Sequence, residues 1–228
     1  ENVEWFWGYK ETDKLGGKDP YSSSKAAAEI AISSYFRSFF SREDSPVKIC
    51  STRAGNVIGG GDWAIDRIVP DCVRAWSKTK KAYLRNPKST RPWQHVLEPL
   101  SGYLLLGSEL NYQNNLNGES FNFGPNPNNL QSVKDLVINM QKYWPNTFYE
   151  EAENEMGFPE AGLLKLNCDK ALHLLNWKSI LTFEKTIEMT TKWYFDYYQN
   201  KKNTIDISLK DIAIFSEIAK AHNIKWAV

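Results

Sequence analysis

The stretch Asp19-Pro20-Tyr21-Ser22-Ser23-Ser24-Lys25-Ala26-Ala27-Ala28-Glu29 decides how the rest of the chain is interpreted. Proline is favoured in the first turn of a helix and aspartate at the cap before it, so the stretch predicts a helix that begins near Pro20. The alanine run has a high helix propensity and would allow close packing onto a flat neighbour. We expect this helix to extend from Asp19 to about Phe40.

Tyr21 and Lys25 are four residues apart, so a helix places both side chains on one face. A free tyrosine has a pKa of about 10, and a nearby ammonium group stabilises the phenolate and lowers that pKa. Such a pair can take a proton from a substrate hydroxyl while a nicotinamide takes the hydride from the same carbon. The same spacing recurs twice within residues 197–202, where a solvated helix face is the simpler interpretation. The Gly-Gly and Asp-Pro entry and the intervening serines distinguish the first copy.

The composition is that of an ordinary globular protein. The chain has 228 residues, 42% hydrophobic and 24% charged, which suffices for one large domain or two small ones. A net charge of +1 gives no electrostatic reason to expect nucleic acid or an anionic membrane as partner. No apolar run approaches the roughly 20 residues of a membrane helix. The acidic opening Glu1–Glu4 is unlike a signal peptide and lacks an initiator methionine, so we expect a fragment of a cytoplasmic protein.

The cysteines and histidines do not suggest a metal site. Cys50, Cys72 and Cys168 are far apart, odd in number and form no Cys-x-x-Cys, which indicates reduced thiols in a cytosolic protein. The three histidines are isolated from one another, and their spacing is not that of a zinc site. We therefore expect no metal.

The first helix is followed by an alternating segment, Val47–Thr52, which predicts a strand, and then by a glycine-rich turn. In α/β sheets ligands bind outside the carboxyl ends of the strands, so the run Arg53–Trp63 is expected at the ligand. Its glycines would let the backbone approach a ligand closely, or would only supply positive φ angles to a loop. The run matches neither the Walker phosphate loop nor Gly-x-Gly-x-x-Gly, and neither motif occurs elsewhere in the chain.

Further elements are predicted from periodicity. Helices are expected near residues 71–78, 97–110, 133–144, 169–175, 183–198 and 208–222, and strands near 81–84, 93–96, 120–123 and 163–167. The loop 85–92 is basic, which suits a diphosphate or is simply a solvated loop. The aromatic residues of the segment 1–18 either cover a ligand or seal the edge of the core.

Three sequence blocks carry a resemblance to a known family: residues 19–25, the run Arg53–Asp71 and the run Arg85–Tyr103. Weaker matches lie in Phe121–Pro125 and Leu164–Ala171. Together they resemble the CDP-glucose 4,6-dehydratases of the extended short-chain dehydrogenase/reductase superfamily, over about residues 1–195.

The resemblance implies an α/β fold: the C-terminal part of a Rossmann-like doubly wound sheet plus a smaller α/β sugar-nucleotide-binding domain. Residues 1–57 would be the remainder of the dinucleotide-binding domain with the catalytic helix. Residues 58–199 would be mainly substrate-binding, with residues near 91–125 returning to the Rossmann part. Residues 200–228 would form a helical C-terminal extension.

The resemblance also implies NAD-dependent conversion of CDP-glucose to CDP-4-keto-6-deoxyglucose, a step in deoxysugar and O-antigen (lipopolysaccharide) biosynthesis. Hydride removed at carbon 4 would return to carbon 6 after water is lost across carbons 5 and 6. The residues implied are catalytic Tyr21 and Lys25; cofactor-binding Tyr21, Lys25, Ala54 and Asn56; and substrate-binding Asn56, Arg67, Tyr83, Arg85, Arg91 and His95. The role of Glu98 stays open.

Parts of the family pattern are missing from this sequence. The glycine fingerprint for NAD, a third catalytic hydroxyl and the acid/base pair for elimination would precede Glu1, so the chain alone is expected to bind NAD weakly and to be inactive. The full-length form is expected to be a homodimer, with Ile30, Ile32 and Phe36 as candidate contacts. The alternatives are a related epimerase or dehydratase with another substrate, and a fragment that binds sugar nucleotide without turnover. A non-enzymatic carbohydrate-binding domain would fit the 14% aromatic content but not the helix-rich pattern.

Overall fold

A computed structural model describes residues 2–126, 130–152 and 162–227. In these ranges the α helices are α1 Pro20–Tyr35, α2 Ile68–Trp76, α3 Leu97–Glu109, α4 Val133–Gln141, α5 Asp169–Leu175, α6 Phe183–Tyr198 and α7 Thr204–Ala221. The strands are β1 Ser51–Ala54, β2 Asn56–Ile58, β3 Ala82–Leu84, β4 Thr90–Arg91, β5 Trp93–His95, β6 Ser120–Phe123, β7 Gln131–Ser132 and β8 Tyr149–Glu151.

The strands pair mostly in parallel, with helices in the connections. β1 pairs with β6, β2 with β5 and β3 with β8, each in parallel, whereas β4 and β7 are antiparallel. Because parallel neighbours need a crossover connection, this arrangement is that of an α/β protein, as predicted.

Two main hydrophobic clusters hold these elements together, and burial of their side chains is the chief stabilising contribution. The larger one joins α2, β3, α4 and α6 through residues such as Trp76, Leu84, Met140 and Ile187. The second joins β6, α3 and α5; its centre is Phe123, whose ring lies 4.9 Å from that of Trp177. A small third cluster attaches α7 to α6 and to the segment before it.

The helix predicted from the opening stretch is confirmed, with one difference at its end. Asp19 caps α1, since its carboxylate accepts the backbone N–H of Ser22 at 2.9 Å. The α-helical part ends at Tyr35, and Phe36–Phe40 forms a π-helical segment. None of the residues of α1 is buried, so its alanines do not pack closely onto a flat neighbour within the described residues.

Several predicted elements are confirmed and others are wrong. α6 and β6 have the predicted bounds. The strand predicted at Val47–Thr52 is displaced, because pairing with β6 begins only at Ser51. The strand predicted at 163–167 is also wrong: the segment makes a single isolated bridge, between Leu166 and Tyr9. The terminal helix begins at Thr204, earlier than expected, because the side chain of Asn203 accepts the N–H of Ile205 and caps it. No helix of the described residues has the length and apolar character needed to cross a bilayer.

Candidate functional site

A cleft of about 700 Å³ opens where β1, β2 and β3 end and α2 begins. It is lined by residues from widely separated parts of the sequence: Tyr21, Ala54, Gly55, Asn56, Val57, Ile58, Gly59, Asp62, Asp66, Arg67, Ile68, Val69, Pro70, Asp71, Tyr83, Arg85, Asn86, Arg91, Trp93, Val133 and Leu164. The cleft therefore brings together Tyr21, Ala54 and all but one of the residues predicted to bind substrate.

The Tyr21 side chain reaches the cleft from the first turn of α1 and is 71% exposed. The ammonium nitrogen of Lys25 lies 5.6 Å from the centre of the Tyr21 ring, so the two groups share one face of the helix. The helix start is fixed by the Asp19 cap, where hydrogen bonds from Ser22 lower the pKa of Asp19 and keep it ionised. A phenol that is accessible to a ligand thus lies near the Lys25 ammonium group.

Glycines form one wall of the cleft, and the structure shows why these positions are occupied by glycine. A Cβ on Gly55 would lie 3.1 Å from Pro92, and a Cβ on Gly59 would lie 2.7 Å from Val96. Gly61 has a φ of +83°, which disfavours other residues. Gly61 therefore meets a backbone requirement and Gly59 lines the cleft while packing on Val96; close approach of the run to a ligand stays a prediction.

Two of the arginines in the cleft are paired with carboxylates that the sequence analysis did not identify. Arg67 lies 3.6 Å from Asp62, and Arg85 lies 3.2 Å from Asp66. These pairs are largely exposed, so each contributes at most about 1 kcal/mol. The only signal in the sequence was the position of both aspartates between the glycine run and α2. A third arginine, Arg91, donates to the carbonyl of Thr90 at 2.8 Å.

His95 does not reach the cleft, contrary to the predicted substrate contact. Its side chain is 2% exposed, and its Nδ1 accepts the backbone N–H of Leu97 at 3.3 Å, at the start of α3. Burial lowers the pKa of His95 to about 4, so the imidazole is neutral at physiological pH. Its Nε2 has no hydrogen-bond partner among the described residues. The packing of β5 beneath the glycine run, rather than ligand contact, accounts for its position.

Glu98, whose role the resemblance left open, lies outside the cleft lining and is 2% exposed. One of its oxygens accepts the backbone N–H groups of Ile180 and Leu181, at 2.9 and 2.6 Å. Burial raises the pKa of Glu98 to about 7. The side chain connects α3 to the segment that precedes α6, which is a structural role.

The aromatic residues of the segment 1–18 were predicted either to cover a ligand or to seal the edge of the core. Phe6 and Trp7 are 70% and 67% exposed and do not line the cleft, so in this structure they neither seal the core nor cover the ligand site.

Within residues 2–126, 130–152 and 162–227, no three His, Cys, Asp or Glu side chains are grouped to hold a metal ion.

Comparison with known proteins supports the resemblance drawn from the sequence. No family model matches the chain. CDP-glucose 4,6-dehydratase of Salmonella typhimurium is 42% identical over 197 residues, which cover 85% of this chain and 55% of that protein. The chain thus spans about half the length of this relative.

Solved structures show the same fold. An NAD complex of dTDP-glucose 4,6-dehydratase from Bacillus anthracis has a TM-score of 0.64 and 22% identity, covering 86% of this chain and 59% of that one. UDP-glucose 4-epimerase from Stenotrophomonas maltophilia, with NAD and a UDP-sugar bound, has a TM-score of 0.69 and 14% identity, covering 84% and 59%. The chain is therefore similar over most of its length to CDP-glucose 4,6-dehydratase and has the Rossmann-like α/β fold of nucleotide-sugar dehydratases and epimerases.

Proposed function

We propose that this chain carries the substrate-binding part and the tyrosine–lysine pair of an NAD-dependent CDP-glucose 4,6-dehydratase. The observation that carries the proposal is the coincidence of 42% identity to such an enzyme with a cleft that gathers Tyr21, Asn56 and three arginines. These residues lie far apart in the sequence, so their meeting in one cleft does not follow from the resemblance of any single block.

The chemistry proposed for Tyr21 is proton transfer at the sugar 4-hydroxyl. Its phenol is exposed to the cleft, and the Lys25 ammonium on the same helical face stabilises the phenolate that accepts the proton. The ketone left at carbon 4 would acidify the hydrogen on carbon 5, which prepares the loss of water across carbons 5 and 6. Tyr21 and Lys25 act on the first of these steps.

The residues present fit the nicotinamide half of an NAD site. Ala54 ends β1 and Asn56 begins β2, both line the cleft together with Tyr21, and a side chain on Gly55 between them would crowd Pro92. When bound, NAD would supply reversible hydride acceptance. The sequence contains no Gly-x-Gly-x-x-Gly for the diphosphate of the cofactor, so we propose that this chain alone holds NAD weakly.

The cleft also suits the diphosphate of a nucleotide sugar. Arg67, Arg85 and Arg91 line it, and a guanidinium grips a phosphate at two points. The amino end of α2 also opens there, because Ile68 and Val69 belong to the lining, and a helix amino terminus attracts anions. Tyr83, 49% exposed on β3, offers an aromatic face to the base.

The proposed domain division and dimer follow the same resemblance. α1 leaves Ile30 61% exposed and Ile32 39% exposed, as a subunit contact would need, whereas Phe36 packs against Gly118. We propose the homodimer for the full-length form.

Titration calorimetry of the purified chain with CDP-glucose, CDP and NAD tests the proposal. We expect CDP-glucose and CDP to bind and NAD to bind weakly or not at all; micromolar NAD binding would contradict the expectation for the cofactor. Failure to bind both CDP ligands at millimolar concentration would refute the proposed function. dTDP-glucose and UDP-glucose, titrated in parallel, distinguish a relative that acts on another sugar nucleotide.

A second candidate is binding of the sugar nucleotide without turnover, favoured by the missing glycine fingerprint. Incubation of the full-length form with CDP-glucose and NAD separates the two, because this chain alone is expected to be inactive in either case. A 4-keto product that disappears in Tyr21→Phe establishes the enzyme, and ligand binding without product supports the second candidate.

A further inference from the structure

The glycine-rich wall of the cleft is attached to α6, a helix from the far end of the sequence. Tyr194 is fully buried, and its hydroxyl donates to the carbonyl of Asp62 at 2.7 Å and accepts the N–H of the same residue at 3.0 Å. Both backbone hydrogen-bonding groups of Asp62 are thus held by one side chain. The residue held in this way lines the cleft and pairs with Arg67.

Aromatic packing from α6 reinforces this attachment. A Cβ on Gly60 would lie 2.0 Å from the ring of Trp193, so the loop backbone lies directly against that ring. The Trp63 ring lies 5.9 Å from that of Trp193, and its N–H donates to the hydroxyl of Tyr198 at 2.9 Å. α7 in turn supports Trp193, whose N–H donates to Ser208 at 3.0 Å.

Outside α6 the loop has few contacts: Arg74 donates to the Trp63 carbonyl at 2.8 Å, and the Asp62 carboxylate accepts the N–H of Ala64 at 2.9 Å. Three consecutive glycines carry the largest backbone entropy to be lost on ordering. The Asp62–Arg67 pair is too exposed to hold the loop in one position, with side chains 40% and 64% exposed. The two hydrogen bonds from Tyr194 hold the backbone of Asp62, whose carboxylate pairs with the Arg67 guanidinium.

We propose that Tyr194 is a positioning residue for the nucleotide-sugar cleft, which fixes the backbone of Asp62 and thereby places Arg67 for the diphosphate. The inference rests on the proposed function, since it assumes that the cleft takes a nucleoside diphosphate. Burial also raises the pKa of Tyr194 well above its usual range, so its hydroxyl is protonated and able to donate at neutral pH.

The variant Tyr194→Phe tests the proposal, because it removes the hydroxyl and keeps the ring. Titration calorimetry with CDP should show about tenfold weaker binding, the effect of losing hydrogen bonds that hold the loop. The thermal midpoint should fall by about 3 °C. The matched control is Ile187→Val, another fully buried position on α6, which should lower the midpoint similarly and leave CDP affinity unchanged.

A double-variant cycle shows whether Tyr194 acts through Arg67. In an Arg67→Ala background the loss caused by Tyr194→Phe should nearly vanish, because the guanidinium to be positioned is gone. A loss that persists undiminished there would overturn the proposal, as would CDP affinity in Tyr194→Phe equal to that of Ile187→Val.

Hydrogen exchange of the unaltered protein provides a test that does not depend on whether a variant folds. The Asp62 amide of the unaltered protein should be protected, because its N–H is bonded to the Tyr194 hydroxyl. Free exchange of that amide would overturn the proposal. If the unaltered protein binds no CDP while its Asp62 amide is protected, it is the proposed function that fails and not the attachment of the loop.

Discussion

The ion pair between Glu29 and Arg53 should hold α1 to the rest of the protein. Nε and Nη2 of Arg53 donate to the two carboxylate oxygens of Glu29, both at 2.6 Å, so the pair is bidentate. Since none of the residues of α1 is buried, hydrophobic packing contributes little to its position. The perturbation that isolates the pair is Glu29→Gln, which keeps the shape of the side chain and removes its charge.

The size of the effect follows from the burial of the pair. The Arg53 and Glu29 side chains are 20% and 19% exposed, so loss of the carboxylate leaves an incompletely solvated guanidinium. Removing one partner of a fully buried pair costs about 3–5 kcal/mol, and with a fifth of each side chain exposed we expect about 2–3 kcal/mol. One remaining contact, from Nη1 of Arg53 to the Glu11 carbonyl at 3.2 Å, limits the loss.

Urea denaturation, together with hydrogen exchange across residues 20–35, measures this effect. We expect a lower urea midpoint at an unchanged slope, and faster exchange concentrated in α1. The control is Asp44→Asn, which breaks the Arg42–Asp44 pair; those side chains are 78% and 72% exposed, so no measurable shift is expected. If Glu29→Gln leaves the midpoint where the control leaves it, the assignment of the pair as the attachment of α1 is refuted.

Three further outcomes are expected. Gly60→Ala would force a Cβ to within 2.0 Å of the Trp193 ring and should lower stability by about 2–3 kcal/mol in urea denaturation, whereas Gly107→Ala, with open space around it on α3, should not lower it. Burial raises the pKa of Glu98 from 4.5 to about 7, so the folded protein holds this proton more tightly than the unfolded chain does, and stability should fall as pH rises through that window. Glu98→Gln should remove about 3 kcal/mol of this dependence of stability on pH. If the variant and the unaltered protein have the same dependence, burial of Glu98 does not oppose its ionisation. Asn122→Ala should destabilise the fold by about 2 kcal/mol, because the buried amide donates to the carbonyls of two separate segments, at 2.9 and 3.1 Å; an unchanged midpoint would mean that water replaces it.

Local sequence signals were enough to predict some elements of this fold. The cap at Asp19 and the regular period of α6 are local properties, and both elements begin where predicted. Pairing is not local: the segment Val47–Cys50 alternates as a strand does, yet β6 offers partners only from Ser51 onward. The short strand β8, which lies in a stretch where no element was predicted, likewise forms because β3 is beside it.

In the candidate site, too, the sequence predicted which residues are present but not the contacts that depend on packing between distant segments. The resemblance supplied residue types at the cleft, and all but His95 of the predicted substrate contacts line it. His95 lies instead near Gly59, on β5, which packs against α3 and α6, and its substrate contact stays a prediction. The carboxylate partners of Arg67 and Arg85 were missed because an ion pair between a loop and another element depends on the course of that loop.

The proposed role of Tyr194 shows why a positioning residue is difficult to predict from the sequence alone. Its position on α6 predicts a core side chain, and its ring is indeed part of the main hydrophobic cluster. The group that affects the cleft is the hydroxyl at the end of the Tyr194 ring. Its hydrogen bonds depend on the position of a loop that lies 132 residues away in the sequence. A buried tyrosine whose hydroxyl takes both hydrogen bonds of a loop backbone holds the loop without contacting the ligand. If that attachment operates here, specificity for the diphosphate belongs partly to a helix that lies outside the three blocks of sequence resemblance, and substitutions on α6 should change ligand affinity in proportion to their effect on Asp62.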